Sequence, residues 1–289
     1  MRNHLDALED LWARLHAGLI GKRFARYRSM SRTPWTTLTE ARTQSKFADL
    51  FELRGPLVGR WGLELAERGD ESGTQPAGAW LQISDLAPVR GMERASHLRL
   101  LLPDDTSVAT IAALGEWAIN HLPLWWGSAG FVFHHTSGTM FTAHTRMAAL
   151  AKRYWTVQIQ DMTSLQWDAL RGMPGVNWLT LIGDGFAQSK GLDAERFQAE
   201  IAALATEGVF NRRGAHGVAF AAGVGPLQGD INVGEDIRPY AQVARRLQPL
   251  LLTQHTPLFG PFAKPDVLSA WLSRLSGPKA WLDCGVAAD

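Results

Sequence analysis

The sequence predicts an α+β protein made of two strand–helix–strand lobes with mixed or antiparallel sheets. Short apolar segments of strand length alternate along the chain with longer segments whose apolar residues recur at helical spacing. Polar stretches that carry Gly and Pro separate these segments, as surface loops do. We place one lobe over residues 1–150 and the other over residues 151–289. The similar order of elements in the two halves suggests a loose tandem repeat as a hypothesis.

The first lobe is predicted to open with a helix over residues 4–20, because Leu8, Leu11 and Leu15 recur on one helical face. The basic stretch 22–32 is consistent either with a patch for an acidic partner or with a solvated surface. Strands are predicted over 60–66, 80–86, 97–103 and 129–135, and further helices over 105–122 and 142–155.

The second lobe repeats this order loosely. An apolar segment over 176–184 and the segment 217–223 are predicted strands, and a further strand over 250–260 is predicted to close the lobe. Helices are predicted over 193–208, 237–250 and 265–275. In the second of these helices Pro239 lies in the first turn, where the missing N–H costs nothing.

The overall composition limits the classes of function that the protein can have. The 289 residues are 46% hydrophobic and 20% charged, as in ordinary soluble globular proteins. The net charge of +1 gives no indication of a nucleic-acid partner. We recognise no signal peptide and no run of about 18 apolar residues that would cross a membrane. We therefore expect a cytoplasmic protein that binds neither membranes nor nucleic acid; the oligomeric state stays open.

The histidines are the first candidates for chemistry. His134 and His135 are adjacent and would point to opposite faces of a strand, and His144 has no companion carboxylate at a metal-site spacing. Cys284 stands alone near the C-terminus, without a nucleophile motif around it. The sequence therefore predicts no catalytic set, no metal site and no cofactor. An enzyme or ligand-binding protein with a scattered site near these histidines is the alternative.

The segment 225–240, GPLQGDINVGEDIRPY, has the composition of a shaped loop. It lacks the spacing of a dinucleotide-binding motif, and Pro226 removes a backbone donor where a phosphate would need one. Its acidic residues do not follow the spacing of a calcium-binding loop. Turn chemistry explains the composition better, because Gly supplies positive φ and Asp and Asn bond the nearby backbone. Asp236 is placed to cap the helix that Pro239 enters.

At this loop the sequence resembles a bacterial family, the type VI secretion immunity proteins of the TsiV kind. The resemblance covers about residues 150–275. It rests on an N-W-L-T segment followed by G-D, then G-x-x-P-x-x-G-D-x-N, then a P-x-Y segment that opens a helix. The residues that carry it are Asn177, Trp178, Gly183, Asp184, Gly223, Pro226, Gly229, Asp230, Asn232, Pro239 and Tyr240.

The resemblance implies a protein without catalytic activity or cofactor. It implies that the chain binds a cognate type VI effector toxin, of the VRR-Nuc or a related nuclease class, and neutralises it by direct contact in the cytoplasm. The motif residues would then either maintain the fold or contact the toxin. Because turn geometry fixes the conformation of these residues, we favour the interpretation that they maintain the fold.

Two kinds of side chain are candidates for contact with a toxin. Acidic side chains would plug the active site of a nuclease, the alternative being binding elsewhere that blocks DNA entry or toxin dimerisation. The acidic candidates are Glu67, Asp70 and Glu71 in one surface and Glu235 and Asp236 in the other. Trp125 and Trp126, in a PLWWGS segment predicted to be a loop, are aromatic anchor candidates. The chain has 12 tryptophans, and the same two rings could instead lie in the core or line a sugar or peptide groove.

Overall fold

The computed structural model divides the chain into two compact units, Met1–Thr106 and Ser107–Asp289. The unit boundary thus lies at 106/107, whereas the sequence placed the boundary between lobes at 150/151. The structure describes residues 4–18, 23–29, 34–39, 60–68, 78–86, 91–135, 140–159, 162–192, 197, 199, 202–203 and 208–285. None of the helices in these ranges combines the length and hydropathy of a membrane span.

The first unit contains one helix and a five-stranded antiparallel sheet with the order β2-β1-β3-β4-β5. Its elements are α1 (Leu5–Ala17), β1 (Phe24–Ser29), β2 (Thr36–Thr37), β3 (Arg60–Glu67), β4 (Trp80–Leu86) and β5 (His97–Leu101). Alternate residues of β4, such as Leu81 and Ile83, are buried, because neighbouring side chains of a strand point to opposite faces. Leu8, Leu11 and Leu15 of α1 are buried as the helical spacing predicted.

The second unit contains a four-stranded antiparallel sheet with the order β6-β7-β9-β8. The strands are β6 (Trp126–Ala129), β7 (Leu179–Gly183), β8 (Val209–Arg213) and β9 (Gly217–Ala222). The helices are α2 (Val108–His121), α3 (Met140–Ala151), α4 (Met162–Leu165), α5 (Asp184–Ser189), α6 (Arg238–Arg246), α7 (Pro265–Leu272) and α8 (Pro278–Asp283). Short 3-10 helices cover Gln248–Leu250 and Gly260–Ala263.

Helix α2 lies against the sheet of the second unit. The Ser107 side chain caps its first turn by accepting a bond from the Thr110 N–H at 3.1 Å. A Cβ added to Gly115 would lie 2.3 Å from Leu179 Cδ2, so the glycine allows the helix to approach β7 closely. All five residues of β7 are buried, as expected for a strand that is covered on both faces.

The α+β class and the antiparallel sheets are confirmed. The strand orders of the two sheets differ among the described strands, so the sheets do not share the topology expected of a tandem repeat. Tryptophans form a large part of the core, as their ring size favours. The buried ones are Trp12, Trp117, Trp155, Trp178, Trp271 and Trp281.

Two predicted strands are wrong. The predicted strand over 129–135 shares only Ala129 with β6, and the rest of the segment makes one parallel bridge, between Val132 and Gln158. Gly130 follows β6 with φ +153°, and a Cβ there would overlap the Asn177 side chain. The closing strand over 250–260 is absent. That segment makes one bridge, between Met173 and Leu251, and then runs irregularly.

Three further predictions differ from the structure. The helix over 237–250 ends at Arg246 and continues only as a 3-10 turn. The PLWWGS segment is not all loop, because Trp126 begins β6. Strands β1 and β8 were not predicted because both carry charged residues in place of an apolar alternation. The predicted helix over 193–208 falls largely outside the described residues.

Candidate partner-binding loop

The loop 225–240 is held against the segment that follows α3. The N–H groups of Trp155 and Thr156 donate to the carbonyl oxygens of Gly229 and Gln228 at 3.1 and 3.2 Å. The Ile231 N–H in turn donates to the Arg153 carbonyl at 3.1 Å. Residues 228–231 of the loop are thus paired with a second chain segment, which fixes their position.

Asp230 is the centre of the loop's polar contacts. Its carboxylate receives two bonds from the Arg153 guanidinium, from Nε at 2.9 Å and from the terminal nitrogen at 2.6 Å. The Asn232 N–H also donates to this carboxylate, at 3.0 Å. The bond with Arg153 holds the pKa of Asp230 below its ordinary value. The side chain is buried and serves the loop itself.

The four-residue turn after Asp230 is closed at both ends. The Asp230 N–H donates to the Glu235 carboxylate at 2.9 Å, and the Glu235 N–H donates to the Asp230 carbonyl at 3.2 Å. Gly234 lies inside this turn with φ +69°, a conformation that favours glycine. Glu235, a predicted contact residue, is therefore engaged in closing the turn.

Gly229 requires its lack of a side chain for two reasons. Its φ is +69°, in the left-handed region, and a Cβ would lie 2.8 Å from the Thr156 backbone nitrogen. Any larger residue would separate the loop from the segment that holds it.

Helix α6 supports the loop from its far end. The Tyr240 hydroxyl is buried and accepts a bond from the Leu227 N–H at 2.9 Å, and burial raises the pKa of Tyr240 to about 12. Asp236 accepts bonds from the Arg238 N–H at 3.0 Å and from its guanidinium at 2.8 and 2.6 Å. The side-chain bonds from Arg238 lower the pKa of Asp236 to about 2. Pro239 occupies the first turn of α6, as predicted.

The N-W-L-T and G-D residues lie at the two ends of β7. Asn177 is buried, and its side chain accepts the Trp178 N–H at 2.8 Å. The Trp178 indole N–H donates to the Gly223 carbonyl at 3.1 Å, which joins the start of β7 to the start of the loop. At the other end, Asp184 forms a bidentate ion pair with Arg213 of β8.

Gly183 marks the closest backbone approach among these residues. A Cβ at this position would lie 1.7 Å from the Leu124 carbonyl oxygen, and the Gly183 N–H donates to the Trp125 carbonyl at 3.0 Å. Of the motif segments, those at Trp178 and Gly223, 45 residues apart in sequence, are joined by a direct hydrogen bond. Pro226 and Asn232 lie within the same loop, half-buried and exposed respectively.

Two apolar side chains of the loop, and that of Val224 just before it, face solvent, whereas Leu227 and Ile237 pack against the core. Val224 is 87% exposed, Val233 is 70% exposed and Ile231 is 43% exposed. The acidic side chains, by contrast, bond to arginines or to the loop backbone. The surface that this loop offers to a partner is therefore more apolar than its sequence suggests.

The two tryptophan candidates are anchored by their indole N–H groups. Trp125 donates to the Leu170 carbonyl at 3.2 Å and Trp126 donates to the Ala169 carbonyl at 2.7 Å. Both rings are partly buried and pack against the core of the second unit.

The acidic surface predicted over residues 67–71 is described only in part. Glu67 is half-buried at the end of β3, and Asp70 and Glu71 lie outside the described residues.

Two of the histidines that the alternative function, an enzyme or ligand-binding protein, would use are in contact. The rings of His135 and His144 contact edge to face with centroids 5.1 Å apart, and His144 is buried against Phe259. Asp230, which an enzyme at this place would need as an acid, is bonded to Arg153 instead. Within the described ranges, no group of three or more His, Cys, Asp or Glu side chains could hold a metal ion.

Sequence reasoning missed the partners of the motif acids. Arg153 was recognised only as part of the basic end of a helix, and Arg213 was not singled out. It also missed Asp168, which is buried and accepts the Thr256 N–H at 2.6 Å beside His255. No local spacing signals these pairs, because their members are 77, 29 and 88 residues apart.

The fold and the loop together define an α+β protein in which the motif residues hold a surface loop in place through hydrogen bonds. A family model described as type VI immunity for VRR-NUC, TsiV, matches residues 26–275. The chain therefore belongs to the TsiV family of type VI immunity proteins.

A solved structure supports the fold. The chain is similar to the Pseudomonas aeruginosa T6SS protein PA0821, with a TM-score of 0.69 and 16% identity over 95% of this chain and 76% of that chain. At this identity the likeness shows the fold alone. A comparison with curated protein sequences gives no significant match.

Proposed function

We propose that this protein binds a cognate type VI effector, a nuclease toxin, and neutralises it by direct contact without catalysing a reaction. The observation that carries the proposal is the family match over residues 26–275, which includes both units of the chain. The family description names VRR-NUC as the target of the immunity, and this supports the nuclease class of the toxin.

The structure of the loop is consistent with a binding role. Tight binding is favoured when the contacting surface is rigid beforehand, because less conformational entropy is lost on association. The loop has this property, since its backbone is bonded to residues 153–156 and to Tyr240. We propose that the motif residues keep the loop rigid, and that its exposed side chains make the contacts.

We also propose a cytoplasmic site of action. The DNA that a nuclease toxin attacks in a bacterium lies in the cytoplasm, so an inhibitor must meet the toxin there. Fractionation of cells that carry the untagged protein at its natural level tests this, and recovery from the periplasm would contradict it.

The test of the function is co-expression with the cognate effector, sought first among the products of the neighbouring genes. We expect the protein to restore growth and to prevent degradation of chromosomal DNA, and to co-purify with a catalytically inactivated effector. Rescue without co-purification would exclude direct contact. Growth arrest that leaves the DNA intact would exclude a nuclease as the toxin while leaving immunity in place.

An effector with an inactivated catalytic site serves as the control for toxicity. Cells that express it alone should grow normally, so any growth defect in the test is caused by the nuclease reaction. If purified protein degraded or modified the effector, the non-enzymatic mode would be wrong.

A further inference from the structure

Three large apolar side chains of the second unit are exposed close to Gly223. They are Val108 at the start of α2, 39% exposed, Phe210 of β8, 57% exposed, and Val224, 87% exposed. We call these three residues the Gly223 patch. Exposed apolar side chains that occur singly need no explanation, whereas a group of them marks an interaction site.

The fold brings these residues together from the start of α2 and from the two ends of the hairpin that β8 and β9 form. The Gly223 N–H donates to the Gly208 carbonyl at 3.0 Å, which places Val224 beside the start of β8. Phe210 is two residues further along β8 and pairs with Ala221 of β9. A Cβ on Gly225 would lie 3.5 Å from Val108, so the start of α2 adjoins the same turn.

Phe210 and α2 also share one face of the sheet. Phe210 pairs with Ala221, and Ala221 pairs with Leu179, so the three side chains point to the same face. Helix α2 covers this face, because Gly115 of α2 approaches Leu179. The exposed Phe210 ring therefore lies beside the N-terminal half of α2, where Val108 is also exposed.

Charged side chains near the patch are paired with each other. Arg212, two residues beyond Phe210, forms an ion pair with Glu116 of α2 at 2.6 Å. The loop acids that follow Val224 are bonded as well, Asp230 to Arg153 and Asp236 to Arg238. An apolar centre with a polar rim is the usual anatomy of a protein–protein interface.

We propose that the Gly223 patch is the centre of the surface that docks the effector toxin, and that the toxin supplies an apolar pocket for Val224 and Phe210. The proposal rests on the proposed function and deepens it. It differs from inhibition by carboxylates that plug the active site, since Asp230 and Asp236 bind arginines of this chain and Glu235 binds the loop backbone.

The shape of the patch favours the toxin over a second copy of this chain. Three side chains can form only the centre of an interface of about 800 Å² on each partner, whichever partner docks, so their arrangement decides between the two. In a symmetric dimer the patch would meet itself, so the protruding Val224 would face another protruding side chain. A partner with a complementary concave surface suits it better.

The test measures the affinity of purified full-length variants for the catalytically inactivated effector. We expect Val224→Asp and Phe210→Asp each to weaken binding by at least about 30-fold, as hot-spot residues do, and to abolish growth rescue. Met92→Asp and Leu282→Asp are matched controls, because these side chains are 55% and 58% exposed elsewhere. The controls should bind as the wild type does.

Each other outcome overturns the proposal in a distinguishable way. Wild-type affinity in both patch variants would place docking elsewhere while the immunity function stands. Failure of the wild type itself to bind or rescue would overturn the proposed function and the patch with it. A wild-type dimer in size-exclusion chromatography with light scattering that Val224→Asp converts to a monomer would assign the patch to self-association. Thermal unfolding of every variant shows whether it is folded.

Discussion

The loop 225–240, together with the preceding Val224, has two sides that differ in chemistry. On the side that faces the protein, which we call the frame side, Asp230 binds Arg153, the Tyr240 hydroxyl binds the Leu227 N–H, and the Leu227 side chain packs against the core. The side that faces solvent carries Val224, Ile231 and Val233. A carboxylate is thus buried while three apolar side chains are exposed, the opposite of the usual preference of these residue types.

The difference between the two sides has a direct experimental meaning. Changes to residues on the frame side should lower the free energy of unfolding. They should weaken binding only because the loop is then held less firmly. Changes on the exposed side should leave stability unchanged and weaken binding directly. The following predictions test this separation, together with the close backbone approach at Gly183 in β7, from the largest expected effect on stability to the smallest.

Gly183→Ala should have the largest effect. The added Cβ would lie 1.7 Å from the Leu124 carbonyl oxygen, which is backbone and cannot rotate away. We expect the free energy of unfolding to fall by about 3 kcal/mol or more, as in overpacked cores. Denaturant unfolding followed by tryptophan fluorescence measures it.

Gly185→Ala is the matched control, because it lies two residues away at the start of α5. Its added Cβ would be 3.6 Å from the Trp125 ring, an ordinary contact. We expect no loss, and a gain of up to about 0.5 kcal/mol because alanine favours the helix. A similar loss in both variants would contradict the close approach at Gly183.

Tyr240→Phe should have a moderate effect. The change keeps the buried ring and removes only the hydroxyl that accepts the Leu227 N–H. We expect the free energy of unfolding to fall by about 1 kcal/mol, the usual net value of one hydrogen bond. Tyr154→Phe is the control and should be close to neutral. Equal effects of the two changes would show that the bond to Leu227 does not support the loop.

Acid should weaken the ion pairs of the loop, both the buried carboxylate of Asp230 and the exposed pair of Asp236 with Arg238. The pKa of Asp236 is lowered to about 2 from its ordinary value of 3.8, and the pKa of Asp230 is also lowered. A carboxylate with a lowered pKa stabilises the folded state above its ordinary value, and this stabilisation is lost as the pH falls through the folded pKa. We expect stability from this source to decline between about pH 4 and pH 2.

Urea unfolding at pH 6 and at pH 3 measures this decline. Asp236→Asn and Arg238→Gln should each show a smaller difference between the two pH values than the wild type, because both remove the pair. If both variants lost as much stability as the wild type on acidification, the pair would not contribute to it.

Val233→Ser should have the smallest effect on stability. The side chain is 70% exposed, so little apolar surface is buried around it in the free protein. We expect a change within about 0.5 kcal/mol, as for most surface positions. A loss larger than that caused by Tyr240→Phe would remove the distinction between the two sides of the loop.

The sequence predicts those parts of the fold where one chain segment carries its own signal. Helix α2 and strands β3 and β4 appear where the apolar periodicity places them. The short edge strand β8, VFNRR, has no such periodicity, because its pairing with β9 determines its conformation. The segment after Leu251 appears extended in sequence, but its contacts with Met173 and Asp168 give it an irregular course.

The contacts of the candidate site were harder to predict than the fold, because they join residues that are far apart in sequence. Gly229 and Pro239 were recognised because turn and helix-start chemistry is local. The partner of Asp230 was not recognised, because Arg153 lies 77 residues away. Exposure of Val224 and Phe210 also depends on the folded surface, so no pattern in the sequence indicated the Gly223 patch.

The most direct test of the account is hydrogen exchange of the free protein and of its complex with the inactivated effector. We predict that peptides covering 208–213 and 223–233 gain protection in the complex, while peptides covering 60–67 and 80–86 in the first unit do not. Protection confined to the first unit, with none around Gly223, would contradict the central claim that the toxin docks on the exposed side of this loop.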